Sequence, residues 1–269
     1  MRLIAVKKSG LNIQDLVSTK LNWQSIDEYA ALAEFPGSDL AGFYQLGDER
    51  QIDFLPILHA SAPKLAVFDM DSTLVNGEVI NELARLKNCE DKIAVITKRA
   101  MNGELDFDQS LTMRLSHLDD ISFNDLELIH QRLHPNPGAR ELVSGLKQMG
   151  VKTYIASGGF DFFASKLCLE LNMDGQFSNT LEIVDGKTTG KVTGPIVNAL
   201  KKREILEMKA RSYNLTLKET IAVGDGANDL EMIKVAGYGI AYKAKAIVRE
   251  QSPIQLNHNP LDALLYLWK

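Results

Sequence analysis

The sequence predicts an α/β protein: a doubly wound parallel sheet (Rossmann-like core) with an inserted helical cap and a small N-terminal α+β accessory domain. Three observations point there. Short apolar runs at 64–69 (KLAVFD), 151–157 (VKTYIAS) and 219–225 (ETIAVGD) each end in a small or acidic residue and read as buried strands. Helical patterns over 138–150, 160–171, 198–214 and 228–236, with a further short strand at 238–242, alternate with them, and such alternation builds right-handed βαβ units. The chain has 269 residues, 45% hydrophobic and 24% charged, a composition that builds a sizeable core and excludes disordered, collagen-like and disulfide-scaffold classes.

Residues 1–60 carry the weakest pattern. Strands over 1–7 and 40–46 flanking a helix over 26–33 make an N-terminal accessory domain, through which copies of the chain could pair. Ser61-Ala62-Pro63 forms the junction with the core, assigned to residues 61–75 and 135–269. After the first core strand the chain does not cross directly to the second. Residues 76–134 intervene with helical periodicity at 79–88, 91–102, 107–117 and 123–133, broken at Asn102-Gly103 and Asp119-Asp120, and the chain returns through Pro135-Asn136-Pro137-Gly138. Four short helices of this kind suit a cap over the strand ends. A smaller excursion over 177–194 centres on Val184-Asp185-Gly186-Lys187, a hairpin signal.

Charge and cysteine usage bound the partners. Lys plus Arg number 30 against 35 Asp plus Glu, a formal charge of -5, and the longest basic run is Lys201-Lys202-Arg203, so nucleic acid is excluded as a main partner. No apolar run approaches the roughly eighteen residues of a membrane helix, and the charged start is unlike a signal peptide. Cys89 and Cys168 have no partners at metal-ligand spacing and are compatible with a reducing compartment; the expected location is cytoplasmic, with no membrane partner.

In a doubly wound sheet ligands sit at the carboxyl ends of the strands, and here those exits carry Asp69, Ser157 and Asp225. Phe68-Asp69-Met70-Asp71-Ser72-Thr73 places two carboxylates one residue apart after an apolar strand. Such a pair alone suits an Asx-type turn and helix cap. Held at the sheet edge, Asp69 can be a nucleophile and Asp71 a general acid and then base. Ser157-Gly158-Gly159-Phe160, opening a helix, offers backbone N–H groups and one hydroxyl as a phosphate cradle, or equally a plain glycine-rich turn. Lys202 lies on the following helical stretch. Gly224-Asp225-Gly226-Ala227-Asn228-Asp229 packs three oxygen-bearing side chains into five positions, a density that suits Mg²⁺.

Taken together and in this order, FDMDSTLV, SGGF, the downstream lysine and GDGANDLEM resemble the four motifs of the haloacid-dehalogenase-like phosphohydrolases, from about residue 64 to the end. Within that superfamily the chain is most similar to the phosphoserine phosphatase family. The resemblance implies hydrolysis of a small phosphorylated amino acid, O-phospho-L-serine, to serine and phosphate in the final step of serine biosynthesis, through an aspartyl-phosphate and with Mg²⁺. It implies catalytic Asp69 and Asp71; metal ligation by the Asp69 and Asp225 carboxylates and the Asp71 carbonyl; and phosphate contacts from Ser157, Gly158, Gly159 and Lys202. Asn228 then serves the substrate side, and Asn228 and Asp229 hold metal-bound water or orient Lys202. In the cap it implies Glu78, Met101, Phe107 and Arg114 as substrate contacts, with Arg114 holding the carboxylate and Glu78 the ammonium. The chemistry agrees, since arginine's planar fork takes a carboxylate through two hydrogen bonds. Two rivals stay open: a phosphatase of the same superfamily acting on another small phosphomonoester, and a phosphate-ligand sensor with an idle core. The second would be expected to lack Asp69 or Asp71, and both are present.

Overall fold

A computed structural model describes residues 1–37, 39–59 and 61–268. The N-terminal segment contains β1 (Arg2–Val6), β2 (Gln24–Ser25), β3 (Ala30–Glu34), α1 (Ala41–Arg50) and β4 (Asp53–Ile57). The strands form an antiparallel sheet in the order β2-β3-β1-β4. One face buries Leu3, Ala5, Ala31, Ala33 and Phe54 with Trp23, while Ile4, Val6, Ala30 and Leu55 face the other way and join the main core. Two expectations are corrected here. Of residues 26–33, expected as helix, 30–33 belong to β3, because the alanines alternate between the two faces and pair with β1. Residues 40–46, expected as strand, open α1: Leu40, Phe43 and Leu46 recur at helical spacing against the same core, and the Asp39 carboxylate accepts the Ala41 N–H at 2.9 Å.

The rest of the chain runs β5 (Leu65–Phe68), α2 (Val79–Leu86), α3 (Glu90–Met101), α4 (Phe107–Leu115), β6 (Asp119–Ser122), α5 (Phe123–His130), α6 (Ala139–Gln148), β7 (Lys152–Phe160) and α7 (Asp161–Glu170). It continues through β8 (Gly175–Val184), β9 (Lys187–Thr193), α8 (Ala199–Ser212), β10 (Thr220–Gly224), α9 (Leu230–Val235), β11 (Tyr238–Tyr242), α10 (Ala246–Gln251) and β12 (Ile254–Leu256), closing in a 3₁₀ segment at Leu261–Trp268. The sheet order is β12-β11-β10-β5-β7-β8-β9-β6. Strands β12 to β8 are parallel, and β9 and β6 add antiparallel at one edge. Side chains alternate into two cores: Phe68, Ile155 and Val223 on the side of α6 and α7, Val67, Ala156 and Ala222 on the side of α8 and α9. Helices therefore cover both faces, as expected of a doubly wound sheet.

Two local differences touch the site. The Asp119-Asp120 break is a strand rather than a bare turn: β6 pairs with β9, and Thr188 Oγ1 accepts the Ile121 N–H at 3.1 Å. The SGGF segment does not open a helix. Strand β7 runs through it to Phe160, its pairing with β8 shifts between Ala156 and Phe160, and α7 begins only at Asp161. A glycine pair that breaks ladder register reads locally like a helix start, which is why sequence alone misplaces it.

Candidate active site

Strand β5 delivers Asp69 to the sheet edge, and β10 delivers Asp225 beside it. Helix α8 reaches across behind them with Lys202, whose ammonium is wholly buried and donates to Asp69 Oδ1 at 2.6 Å and Asp229 Oδ1 at 2.7 Å. Asp229 Oδ2 accepts the Gly226 N–H at 3.0 Å, so both of its oxygens are engaged. A carboxylate oxygen from each of Asp69, Asp225 and Asp229 lies within 4.8 Å of the others. The Asp225 carboxylate accepts no hydrogen bond among the described residues. With Asp229 committed to Lys202 and Gly226, the free oxygens belong to Asp69 and Asp225, an all-oxygen donor set that fits a hard divalent cation.

The charges show the strain of this crowding. Burial and then the Asp229 charge push the Asp69 carboxyl above its ordinary value, opposed by Lys202. Burial, then Asp229 and Glu78, raise Asp225 to about 7. Burial, then Glu78, raise Asp71 to about 8, against the N–H of Val79, which donates to Asp71 Oδ1 at 3.2 Å. Burial by itself would depress the Lys202 ammonium, but Asp229 and Asp69 outweigh it and hold it above the ordinary lysine range. Crowded carboxyls pushed upward around one buried ammonium are the pattern of a functional site rather than of a solvated surface.

The SGGF segment closes the opposite wall. Ser157 is fully buried, and its Oγ accepts the Gly159 N–H at 2.9 Å. A Cβ at Gly158 would stand 2.6 Å from the Phe107 ring, and one at Gly159 would stand 2.9 Å from Asp71 Oδ2, so glycine is what lets cap and acid approach this wall. Asn179 was not anticipated: its amide donates to the Gly158 carbonyl at 2.8 Å and accepts the Val197 N–H at 2.8 Å, holding the wall from behind. No sequence signal marks it, because it sits inside a strand.

From the cap, Glu78 stands just before α2, Met101 ends α3, Phe107 begins α4, and Arg114 lies in its last turn. All four line one cleft of about 500 Å³ together with Asp69, Asp71, Ser157, Gly158, Gly159, Asp225 and Asn228. Lys202 and Asp229 do not line it, lying behind Asp69. Met101 is 75% exposed at the mouth. Burial lowers the Arg114 guanidinium against the pull of Glu78 and Asp71, and its Nε donates to the Ser110 carbonyl at 3.2 Å. Lys245, at the exit of β11, also lines the cleft; a fourth strand exit was the available signal for it. A wider groove between α1 and α10, lined by Asp48, Tyr44 and Arg249, lies away from these strand ends.

The chain matches the family described as "Hydrolase: haloacid dehalogenase-like hydrolase" over residues 63–237. It belongs to that family. This haloacid dehalogenase-like hydrolase is 46% identical over 201 residues to the phosphoserine phosphatase of Idiomarina loihiensis, covering 75% of this chain and 91% of the relative. It is 43% identical over 210 residues to the phosphoserine phosphatase of Streptomyces coelicolor, covering 78% of this chain but only about half of that longer relative, 51%. Among solved structures, a HAD family hydrolase from Salmonella enterica serovar Typhi superposes with a TM-score of 0.88 at 32% identity, covering 99% of this chain and 98% of the other. A substrate-bound phosphoserine phosphatase superposes with a TM-score of 0.73 at 42% identity, covering 78% of this chain and all of that one, 100%. Among the described residues no helix is long and apolar enough to cross a membrane.

Proposed function

We propose that this hydrolase converts O-phospho-L-serine to L-serine and phosphate, the final step of serine biosynthesis, through an aspartyl-phosphate on Asp69. The observation that carries the reading is that one cleft holds two carboxylates, Asp69 and Asp71, at its core end and an opposite-charge pair, Glu78 and Arg114, at its cap end. A phosphorylated amino acid presents phosphate, carboxylate and ammonium, and these three groups meet three matched parts. Arg114 takes the carboxylate, Glu78 the ammonium, and Ser157, Gly158 and Gly159 the phosphate oxygens. Phe107 and Met101 cover the short side chain between them.

Asp69 and Asp225, with the Asp71 carbonyl, would hold Mg²⁺, which neutralises the repulsion between two anions when bound. An Asp69 oxygen forms a bond to phosphorus as the bond from phosphorus to the serine oxygen breaks. That oxygen leaves with the electron pair and takes a proton from Asp71, whose carboxyl is pushed up to about 8 by burial and by Glu78. Asp71, now ionised, removes a proton from water, and the hydroxide oxygen attacks phosphorus and releases Asp69. Lys202, donating to Asp69 Oδ1, fixes the orientation of the Asp69 carboxylate at the sheet edge. Asn228 stands on the cleft wall beside Asp225, and Asp229 keeps Lys202 in place.

A panel of phosphomonoesters including phosphoserine, phosphohomoserine, phosphoethanolamine and a phosphosugar, read by released phosphate with Mg²⁺ and with EDTA, tests this reading. Phosphoserine should lead on kcat/KM and EDTA should abolish turnover. A phosphosugar turned over best would move the enzyme elsewhere in its superfamily, and no turnover of any ester would favour an idle core.

A further inference from the structure

The chain leaves the core for the cap at Val75-Asn76 and returns through residues 134–137, and these two connections run side by side. Val75 and Pro135 form an isolated antiparallel bridge, and the Asn76 N–H donates to the His134 carbonyl at 3.1 Å. Just before them the backbone turns sharply after Asp71, with Ser72 at φ 57°, a left-handed conformation that a side chain other than glycine disfavours. A turn of this kind leaves its carbonyls without a ladder, and the fold has to find donors for those turned away from water.

One residue of the return connection supplies them. The side-chain amide of Asn136 donates to the Thr73 carbonyl at 2.8 Å and the Val75 carbonyl at 3.1 Å, with a longer contact of 3.4 Å to Ser72. Its backbone N–H donates to the Leu74 carbonyl at 2.8 Å, so every carbonyl from 72 to 75 is met by Asn136. Its own carbonyl accepts the N–H of Ala139, the first residue of α6, at 3.0 Å. Pro135 and Pro137 flank it, and a residue before proline is confined to extended backbone, so the arm is set before it docks. On the other side, Asp71 Oδ1 accepts the N–H of Val79 at the start of α2, and Ser72 Oγ donates to Glu78 at 3.4 Å. The turn bearing Asp71 is thus tied to the cap's entry and exit alike.

We propose that Asn136 is a positioning residue for proton transfer: it locks the turn after Asp71 to the cap's return connection, so that the Asp71 carboxylate is placed for both steps. The role rests on reading Asp71 as acid and then base. The two hydrogens of the Asn136 amide are what serve these carbonyls from that position. Asn136→Ala removes the donors, and Asn136→Asp keeps the shape but faces carboxylate oxygens against carbonyls.

The test uses the full-length enzyme with Mg²⁺. For phosphoserine, both variants should lose about ten- to a hundred-fold in kcat, as expected when a reacting group moves by about an ångström, with KM within about two-fold of wild type. With p-nitrophenyl phosphate the leaving phenolate needs no proton. The variants should therefore release a burst of p-nitrophenol of about one equivalent per site and then run at a lowered steady rate, because hydrolysis of the intermediate still needs Asp71. A purely structural role would not separate burst from steady state. Wild-type kcat in either variant, or equal loss of burst and steady rate, would overturn the proposal. So would absence of a cooperative unfolding transition in both variants, which would make Asn136 a determinant of folding. A wild type inactive on phosphoserine would defeat the functional reading and this role with it, a result distinguishable from variants that match an active wild type.

Discussion

Behind the core end of the cleft Lys202, Asp69 and Asp229 are 0%, 5% and 0% exposed and joined by bonds of 2.6 and 2.7 Å; at the cap end Glu78 and Arg114 meet no buried ion-pair partner among the described residues, and Met101 stands 75% exposed. The first group is held by strand ends in the middle of a sheet, the second by short helices inserted after one of those strands. The difference separates two tasks. On the proposed reading, phosphoryl transfer needs a nucleophile held in one orientation, and a buried network on strand ends holds Asp69 so. Choosing the molecule that carries the phosphate needs contacts that can close over it, which a helical insertion provides.

Substitutions can break that division in order of size. The largest effect is expected from Asp69→Asn: turnover of every phosphomonoester should vanish, because an amide is neither a competent nucleophile nor a good Mg²⁺ ligand. More than a few per cent of wild-type turnover, about one part in thirty, after excluding deamidation back to Asp, would remove Asp69 from the nucleophile's role. Asp71→Asn should lower kcat on phosphoserine by about two to four orders of magnitude while substrate binding persists. Direct titration with substrate would check the second half, and unimpaired turnover would pass the acid-base role to another group.

Arg114→Ala probes the other end and sharpens the contrast. The KM for phosphoserine should rise about thirty-fold or more, the cost of leaving one partner of a desolvated ionic contact unpaired. Hydrolysis of an aryl phosphate should stay close to wild type. Equal losses on both substrates in a variant with normal thermal unfolding would place Arg114 on the phosphate, and the two ends would no longer be separate.

The smallest effect is on stability. Asp71 and Asp225 have folded-state values of about 8 and about 7, above the ordinary aspartate value of 3.8, so the folded metal-free protein binds more protons than the unfolded chain between these limits. Stability should therefore fall as pH rises from about 4 to about 8. Thermal unfolding in EDTA should show a Tm declining across this window, and saturating Mg²⁺ should flatten the decline. A Tm that rises with pH in EDTA would mean these carboxylates are not crowded as described.

The core end was legible because its signals are local: an apolar strand followed by a polar exit residue, Asp69, Ser157 and Asp225, in a fixed order. Helices α2 to α9 followed from helical apolar spacing and from breaks such as Asn102-Gly103. What stayed hidden depends on partners distant in sequence. The alanines of β3 favour helix until β1 offers an edge to pair with. Asp53 accepts the backbone N–H groups of Asn257, His258 and Asn259, more than two hundred positions away, and ties the N-terminal sheet to the end of the chain. Strand β12 and the final 3₁₀ segment were passed over for a similar reason: both are too short to show a period of their own, yet Ile254, Leu256, Leu261 and Leu264 are fully buried. Even at the site, Asn179 and Asn136 act through backbone atoms of other segments, which no motif records.

The central claim is that the core end performs the chemistry through a covalent phosphate on Asp69. The direct measurement is rapid acid quenching of the enzyme turning over phosphoserine with Mg²⁺, followed by peptide mapping by mass spectrometry. An acid-stable, base-labile phosphoryl adduct is expected on the peptide containing Asp69, present in wild type, accumulating in Asp71→Asn when an aryl phosphate is the substrate, and absent in Asp69→Asn. Turnover by wild type with no adduct on that peptide under any quench time, or an adduct that persists in Asp69→Asn, would contradict it.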